Sequence, residues 1–402
     1  MDFSLTDDRR MLEETLARFL SERYPIETRH ANAATADGFS RAMWREFAEL
    51  GVIGALFAEE VGGFGGAGFD IALVFEGLGR AIVVEPFGST LIAGSILAAA
   101  GSEAQKALIE DVIAGGTILA FAHAEPESRY DLHHVETTAE PSEDGWRLRG
   151  HKAVVRDAGA ADRIVVSART TGGIDDEGGI TLFLVDRGTL GLSLRDYPTA
   201  DGGRAAEVRL DGVLVPDAAR IGETDAAYPV IEAAVGRGVL ALSAEALGAM
   251  ETCRDMTIAY LSERKQFGVP IGSFQALQHR MADLSIGIEQ VRSAVINAAG
   301  RLGTDRRTRE WNLSAAKNLV GRVGRLVAEE TIQMSGGIGM TWEYALPHFA
   351  KRLVMIDHMW GDTDHHLERV MLLSRAGAGA EPAEAIAPAA PAEPDQPAGG
   401  AR

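Results

Sequence analysis

Glu263-Arg264-Lys265-Gln266-Phe267-Gly268, followed closely by Pro270-Ile271-Gly272-Ser273-Phe274-Gln275, lies between two long helical runs, and the reading of its flanks decides the fold. Upstream, Tyr228–Glu263 carries only scattered glycines and one proline, Pro229, at the start of the run, where a missing N–H is tolerated. A helix of that length spans roughly 50 Å. Downstream, Phe274–Arg301 and Arg307–Ser335 read as two more long helices, and Asp357–Leu373 as a last helix or helix-loop. Three helices of this length are stable only when packed on one another, so residues 221–375 are expected to form a C-terminal long-helix bundle.

Toward the N-terminus the periodicity changes. Thr117–Ala122, Trp146–Arg149, Ala153–Arg156, Ile164–Ala168, Ile180–Asp186 and Glu207–Leu210 are short β-rich runs separated by turn signals. Asp144-Gly145 and Asp211-Gly212 read as hairpin turns. Residues 117–220 are therefore expected to form a central antiparallel β domain. Residues 1–116 read as helical: Thr6 can cap the first helix, Asp7 and Asp8 favour its opening turn, and Leu12, Leu16, Phe19 and Leu20 repeat at helical spacing. Met43–Leu50, Asp70–Ala81 and Glu103–Ala114 continue the pattern. Gly62-Gly63-Phe64-Gly65-Gly66 has neither a preceding strand nor a following Lys-Ser/Thr, so it reads as a helix-to-helix turn and not as a phosphate loop. Residues 376–402, rich in Ala, Pro, Glu and Gly, are expected to be a disordered tail. The fold class is α+β and mostly α.

Of 402 residues, 39 are Lys or Arg and 58 Asp or Glu, a net charge of -19. Such a surface repels phosphate, which argues against nucleic acid as a partner and requires any anionic ligand to meet a local basic group. Cys253 is the sole cysteine, which excludes an internal disulfide and cysteine-based metal centres; mid-helix, it reads as a packing residue. The acidic start lacks an apolar h-region, and no apolar run is long enough to span a bilayer. A cytoplasmic protein without membrane insertion is the expectation. Asp362, Asp364, His365 and His366 invite a metal reading, but adjacent histidines diverge on a helix, so an acidic helix start is preferred and no metal is expected.

The quoted stretch, together with Gln333-Met334-Ser335-Gly336-Gly337-Ile338-Gly339-Met340, resembles the two C-terminal signatures of acyl-CoA dehydrogenases at their usual separation. Glu59-Glu60-Val61-Gly62-Gly63-Phe64-Gly65 resembles that family's N-terminal loop. The resemblance runs from about Asp2 to Leu373 and implies FAD as cofactor, an acyl-CoA substrate, and subunits that share cofactor sites. It implies that Arg264, Gln266, Phe267, Gln275 and the run Gln333, Met334, Ser335, Gly336 and Gly337 bind the adenine-diphosphate end of a neighbouring subunit's FAD, and it adds Thr363 as a cofactor contact. The chemistry agrees: a guanidinium can hold a pyrophosphate bidentately, and paired glycines let backbone N–H groups approach closely.

The sequence departs from the family where the flavin ring and the substrate meet. Ala124-Glu125-Pro126-Glu127-Ser128-Arg129-Tyr130-Asp131 stands for a Thr-Glu-Pro-Gly-x-Gly-Ser-Asp stretch, and Val154-Val155-Arg156 for a Trp-x-Thr wall. Abstraction of an α-proton needs a carboxylate within hydrogen-bond reach. The family's glutamate position is Gly361, in Trp360-Gly361-Asp362-Thr363, and the alternative family position is Gly238. Asp362 and Glu245 are the substitute bases to consider; the competing reading of Glu245 is a carboxylate paired to an Arg or Lys of an adjacent helix. Arg129 and Arg156 are the only identifiable anchors for an acidic substrate, the alternative being that they fill an unused site. The resemblance is greatest to the small subunit of two-component enzymes of the pimeloyl-CoA dehydrogenase type. On that reading a homologous subunit completes a hetero-oligomer and supplies the base. The alternatives are a self-sufficient homo-oligomer using Asp362 or Glu245, and a non-enzymatic acyl-CoA or protein-binding scaffold. By the same resemblance, an electron-transfer flavoprotein is the expected electron acceptor.

Overall fold

The computed structural model describes residues 6–378. Six helices come first: α1 (Asp7–Arg23), α2 (Ile26–Ala33), α3 (Arg41–Glu49), α4 (Gly68–Ala81), α5 (Phe87–Ala100) and α6 (Glu103–Ile113). Thr6 caps α1 as read, its hydroxyl accepting from the Arg9 N–H. α6 begins on a reciprocal capping box, with Gln105 N–H donating to the Ser102 hydroxyl and Ser102 N–H to the Gln105 carboxamide. α5 is apolar all round and buried along most of its length, the pattern of a central core helix, and amphipathic spacing could not single it out. Between α3 and α4, the glycine-rich segment is a turn as read: Gly63 and Gly65 press against the carbonyls of Phe57 and Ala55, where no Cβ fits.

Eight strands follow: β1 (Leu119–Ala122), β2 (Thr138–Ser142), β3 (Gly145–Arg156), β4 (Arg163–Arg169), β5 (Ile180–Asp186), β6 (Leu192–Pro198), β7 (Arg204–Val215) and β8 (Arg220–Ile221). They form one sheet in the order β6-β7-β3-β2-β4-β5-β8, with β1 alongside β4. Most pairs are antiparallel, but β1 and β2 each run parallel to β4. Two turn readings need correction. Asp211-Gly212 is not a hairpin turn but a bulge inside β7: Val213 pairs with Leu148 and Asp211 with Arg149, leaving Gly212 as the extra residue at φ 68. The β2–β3 hairpin turns on Glu143-Asp144, with Gly145 already paired to Ser142. The runs 146–149 and 153–156 belong to one bulged strand, β3.

The C-terminal part holds α7 (Tyr228–Glu263), α8 (Gln275–Arg301), α9 (Arg306–Ser335), α10 (Leu346–Asp357) and α11 (Thr363–Ala378). Between α7 and α8 lies a short hairpin of β9 (Lys265–Gln266) and β10 (Val269–Pro270). α7 is the axis of the molecule, packing against α4, α5, α8, α9 and α10. Its scattered glycines have a packing use: a Cβ on Gly248 would collide with the Glu76 carbonyl, and one on Gly79 of α4 with the Glu245 carbonyl. The final helical run starts later than expected, after a turn. Asp357 ends α10, and 358–362 form a turn before α11. α11 continues through Ala378, past the expected start of the tail at 376, and the rest of that tail, 379–402, lies outside the described residues.

Candidate active site

A cavity of about 460 Å³ lies between α4, α5, α7 and α10 and the end of β3. Its body is apolar, with Phe75, Leu78, Ile92 and Leu242 among the lining residues. Exposed Arg129 and Val154 mark its mouth. Val154, at φ 53 in the bulge of β3 and 56% exposed, stands where the sequence comparison places an aromatic wall.

One wall is stiffened by a buried polar cluster. Lys152 Nζ donates to Glu125 Oε1 at 2.6 Å, to Ser167 Oγ at 3.0 Å and to the His123 carbonyl at 3.1 Å. Glu125 also accepts the backbone N–H groups of Glu136 and Thr137. Burial alone would raise its pKa, yet the Lys152 ammonium and these donors hold it below the ordinary carboxylate value. Lys152 itself is brought down to about 8 by burial. His123 Nδ1 lies 2.8 Å from Ser167 Oγ, and burial beside Lys152 depresses its pKa to about 3, keeping the ring neutral. Phe121 stacks between His123 and Trp360, at 5.2 and 6.0 Å between centroids.

The turn at 358–362 is pinned from behind. Lys317 Nζ, buried in α9, donates to the carbonyls of Asp357 at 3.0 Å and Gly361 at 2.7 Å. His366 Nε2–H donates to the Trp360 carbonyl at 3.1 Å. Trp360 takes φ 56 and Gly361 φ 112, so the chain crosses this point in the left-handed half of conformational space. A Cβ on Gly361 would stand 2.5 Å from His366 Nε2 and 2.7 Å from His365 Cδ2, pointed at α11. Gly238 does line the cavity, but a Cβ there would come within 2.5 Å of Ile92 Cδ1.

The two substitute bases are placed very differently. Asp362 is not among the cavity's lining residues; its Oδ1 accepts the His365 N–H at 2.9 Å and caps α11. Glu245 does line the cavity, but Arg352 of α10 grips both its oxygens, at 2.6 and 2.7 Å, the interhelical pairing that was its competing reading. Arg352 also donates to Asp201 at 2.6 Å. Around them stand Arg29, Glu85, Arg156 and Asp157, a charged floor to an otherwise apolar cavity. Burial pushes the Glu85 carboxyl up to about 7 and raises that of Asp157, whereas Asp201 is held low by Arg156 and Arg352 against the opposing effect of its burial. Asp157, Asp201 and Arg352 carried no motif in the sequence. Only the adjacency of Asp157 to Arg156 could have drawn attention to that pair.

The proposed cofactor residues divide in two. Arg264, Gln266, Phe267, Gln275, Gln333, Gly336 and Gly337 lie exposed around the α7–α8 hairpin and the end of α9, and Phe267 is 92% exposed. Gly336 and Gly337 have nothing within 4 Å of a Cβ position, so their backbone is open to approach. Met334 and Ser335, by contrast, are buried. Thr363 is placed apart from this surface, its hydroxyl donating to Asp357 Oδ1 at 2.9 Å. Cys253 is buried as read, its thiol pushed up to about 12 by burial. Among the described residues no cluster has a metal site's makeup, and no helix is long and apolar enough to cross a membrane.

A helical domain, a sheet and a long-helix bundle thus enclose a largely apolar cavity with a charged floor. Family models for the N-terminal, middle and C-terminal domains of acyl-CoA dehydrogenase match residues 6–116, 120–213 and 228–372. The chain belongs to the acyl-CoA dehydrogenase family, whose cofactor is FAD. It is 28% identical over 384 residues to the probable acyl-CoA dehydrogenase YngJ of Bacillus subtilis, covering 92% of this chain and 98% of that one. Among solved structures, the FAD complex of PigA superposes with a TM-score of 0.85 at 25% identity, covering 94% of this chain and 99% of PigA. The ChsE4-ChsE5 complex from Mycobacterium tuberculosis does so at 0.84 and 25%, covering 95% and 100%. The exposed guanidinium of Arg264 and the open backbone at Gly336-Gly337 have the chemistry that would hold a diphosphate.

Proposed function

We propose that this chain is the base-less subunit of a hetero-oligomeric acyl-CoA dehydrogenase, working beside a homologous subunit that introduces an α,β double bond into an acyl-CoA. The carrying observation is the geometry at Gly361: the backbone there directs a side chain toward His365 and His366 of α11. The two substitute carboxylates are both engaged, Asp362 in capping α11 and Glu245 in the grip of Arg352. FAD supplies the hydride acceptor of the reaction. This chain's contribution is to lend Arg264, Gln266, Phe267, Gln275 and the Gly336-Gly337 backbone to a neighbour's cofactor, while the neighbour holds the proton acceptor. The ChsE4-ChsE5 complex offers a precedent for a chain of this fold in a two-component assembly. An electron-transfer flavoprotein is the matching electron acceptor.

The chain purified alone is expected to carry little flavin and to reduce no dye acceptor with acyl-CoA. Co-purified with a homologous subunit, it is expected to yield a yellow, active complex, and Arg264→Ala in this chain should lower that complex's flavin content. Stoichiometric flavin with turnover by the chain alone would establish the self-sufficient reading, with Asp362 or Glu245 as base. Absence of flavin in every co-expression would leave the scaffold.

A further inference from the structure

Although no free carboxylate stands at either usual base position, the cavity remains a shaped and partly polar space. Its floor is the part unlike a simple hydrocarbon slot. Glu245 lies seven residues, about two helical turns, along α7 from Gly238, and both line the cavity. Most charged groups there already have partners. Arg352 is saturated by Glu245 and Asp201. Arg29 donates to the carbonyls of Ile82 and Asp201. Glu85 is held by the Tyr24 hydroxyl and the Asn32 amide.

Two neighbours in sequence are not saturated. Arg156 makes one long hydrogen bond, to the Thr199 hydroxyl at 3.4 Å, and one loose ion pair, to Asp201 at 3.8 Å, out of five N–H donors. Asp157 accepts from the Ser89 hydroxyl at 2.5 Å through one oxygen, forms no ion pair among the described residues, and lines the cavity. A cation with spare donors and a carboxyl with a spare oxygen thus share the floor of an apolar cavity. A hydrocarbon end would strand both, and burying unpaired polar groups is costly. A carboxylate would meet Arg156 but face the Asp157 carboxyl. A hydroxyl can accept from Arg156 and donate to Asp157 at once.

We propose that this cavity binds an acyl thioester whose apolar chain ends in a hydroxyl, which is received between Arg156 and Asp157, and that it does so as a binding site without a base of its own. The site does not depend on whether a partner subunit performs the dehydrogenation, because its readout is binding and not turnover.

The test is calorimetric titration of the full chain, in the assembly in which it purifies, with decanoyl-CoA, ω-hydroxydecanoyl-CoA and the ω-carboxylate analogue of the same length. The hydroxylated ligand is expected to bind about tenfold or more tightly than the plain chain, because a site built to hydrogen-bond a hydroxyl discriminates strongly against its absence. Asp157→Leu is expected to abolish or invert that preference, as is Arg156→Leu if the first variant fails to fold. Equal or tighter binding of decanoyl-CoA would overturn the hydroxyl site while leaving an acyl-CoA cavity in place. Tighter binding of the carboxylate would show that the floor reads charge, and would equally overturn it. Binding of none of the three would remove the cavity from acyl-CoA recognition altogether.

Discussion

Gly361 shows how much a single backbone conformation can exclude. Restoring a glutamate there looks like a simple repair, but the residue sits at φ 112 with His365 and His366 where a Cβ must go. Gly361→Glu is expected to lower stability by about 1–3 kcal/mol, the scale of cost for a side chain forced into a sparsely populated region. It is also expected to confer no turnover on the chain alone. Chemical denaturation with a dye-coupled assay reads both, and a stable, active variant would refute the geometric argument. The residue identities at 238, 245, 361 and 362 were all readable in the sequence. Which way each pointed was not, because direction depends on φ at one residue and on partners many residues away.

At the scale of elements, the junction of α7, α10 and the sheet rests on Arg352. Its guanidinium, 11% exposed, neutralises Glu245 of α7 and Asp201 of the β6–β7 turn. Removing it strands two buried carboxylates, so Arg352→Leu is expected to cost about 3–5 kcal/mol in urea unfolding. A loss below about 1 kcal/mol would mean that the clamp contributes little. If the clamp holds, Arg352→Leu/Glu245→Leu should recover part of the loss, because the stranded charge goes with it. The long helices were legible from sequence, since α7 fills the run Tyr228–Glu263, which no internal proline breaks. The pairing of 352 with 245 and 201 was not, because nothing local links residues that far apart. Asp211-Gly212 failed for a related reason: the dipeptide favours φ > 0 in a turn and in a bulge alike, and only the strand opposite decides between them.

Over the whole molecule, buried neutral histidines predict a specific weakness to acid. His123 is held near 3 by burial and Lys152, and His366 near 2 by burial and Lys317, against an ordinary 6.5. Between about 6.5 and 3 the unfolded chain therefore binds protons that the folded chain refuses, and stability falls as pH falls through that window. Glu85 acts oppositely: its folded value near 7 means that its contribution falls as pH rises from 4.5 to 7. Comparing the pH dependence of Tm with that of His123→Leu isolates the first effect. The variant is expected to lose less stability between pH 6.5 and 3 than the wild type, and parallel curves would refute the assignment.

The order of helices, sheet and long helices, the family, and the surface motif at Arg264 and Gly336-Gly337 followed from the sequence, because periodicity and short motifs are local properties of a chain. The middle of the site did not. Whether Glu245 is free or clamped, whether Asp362 faces substrate or a helix end, and whether Arg156 and Asp157 share a cavity floor are decided by contacts among α7, α10, α5 and the sheet. Such contacts exist only after packing brings distant segments together, where burial and partner charges set what each group can do.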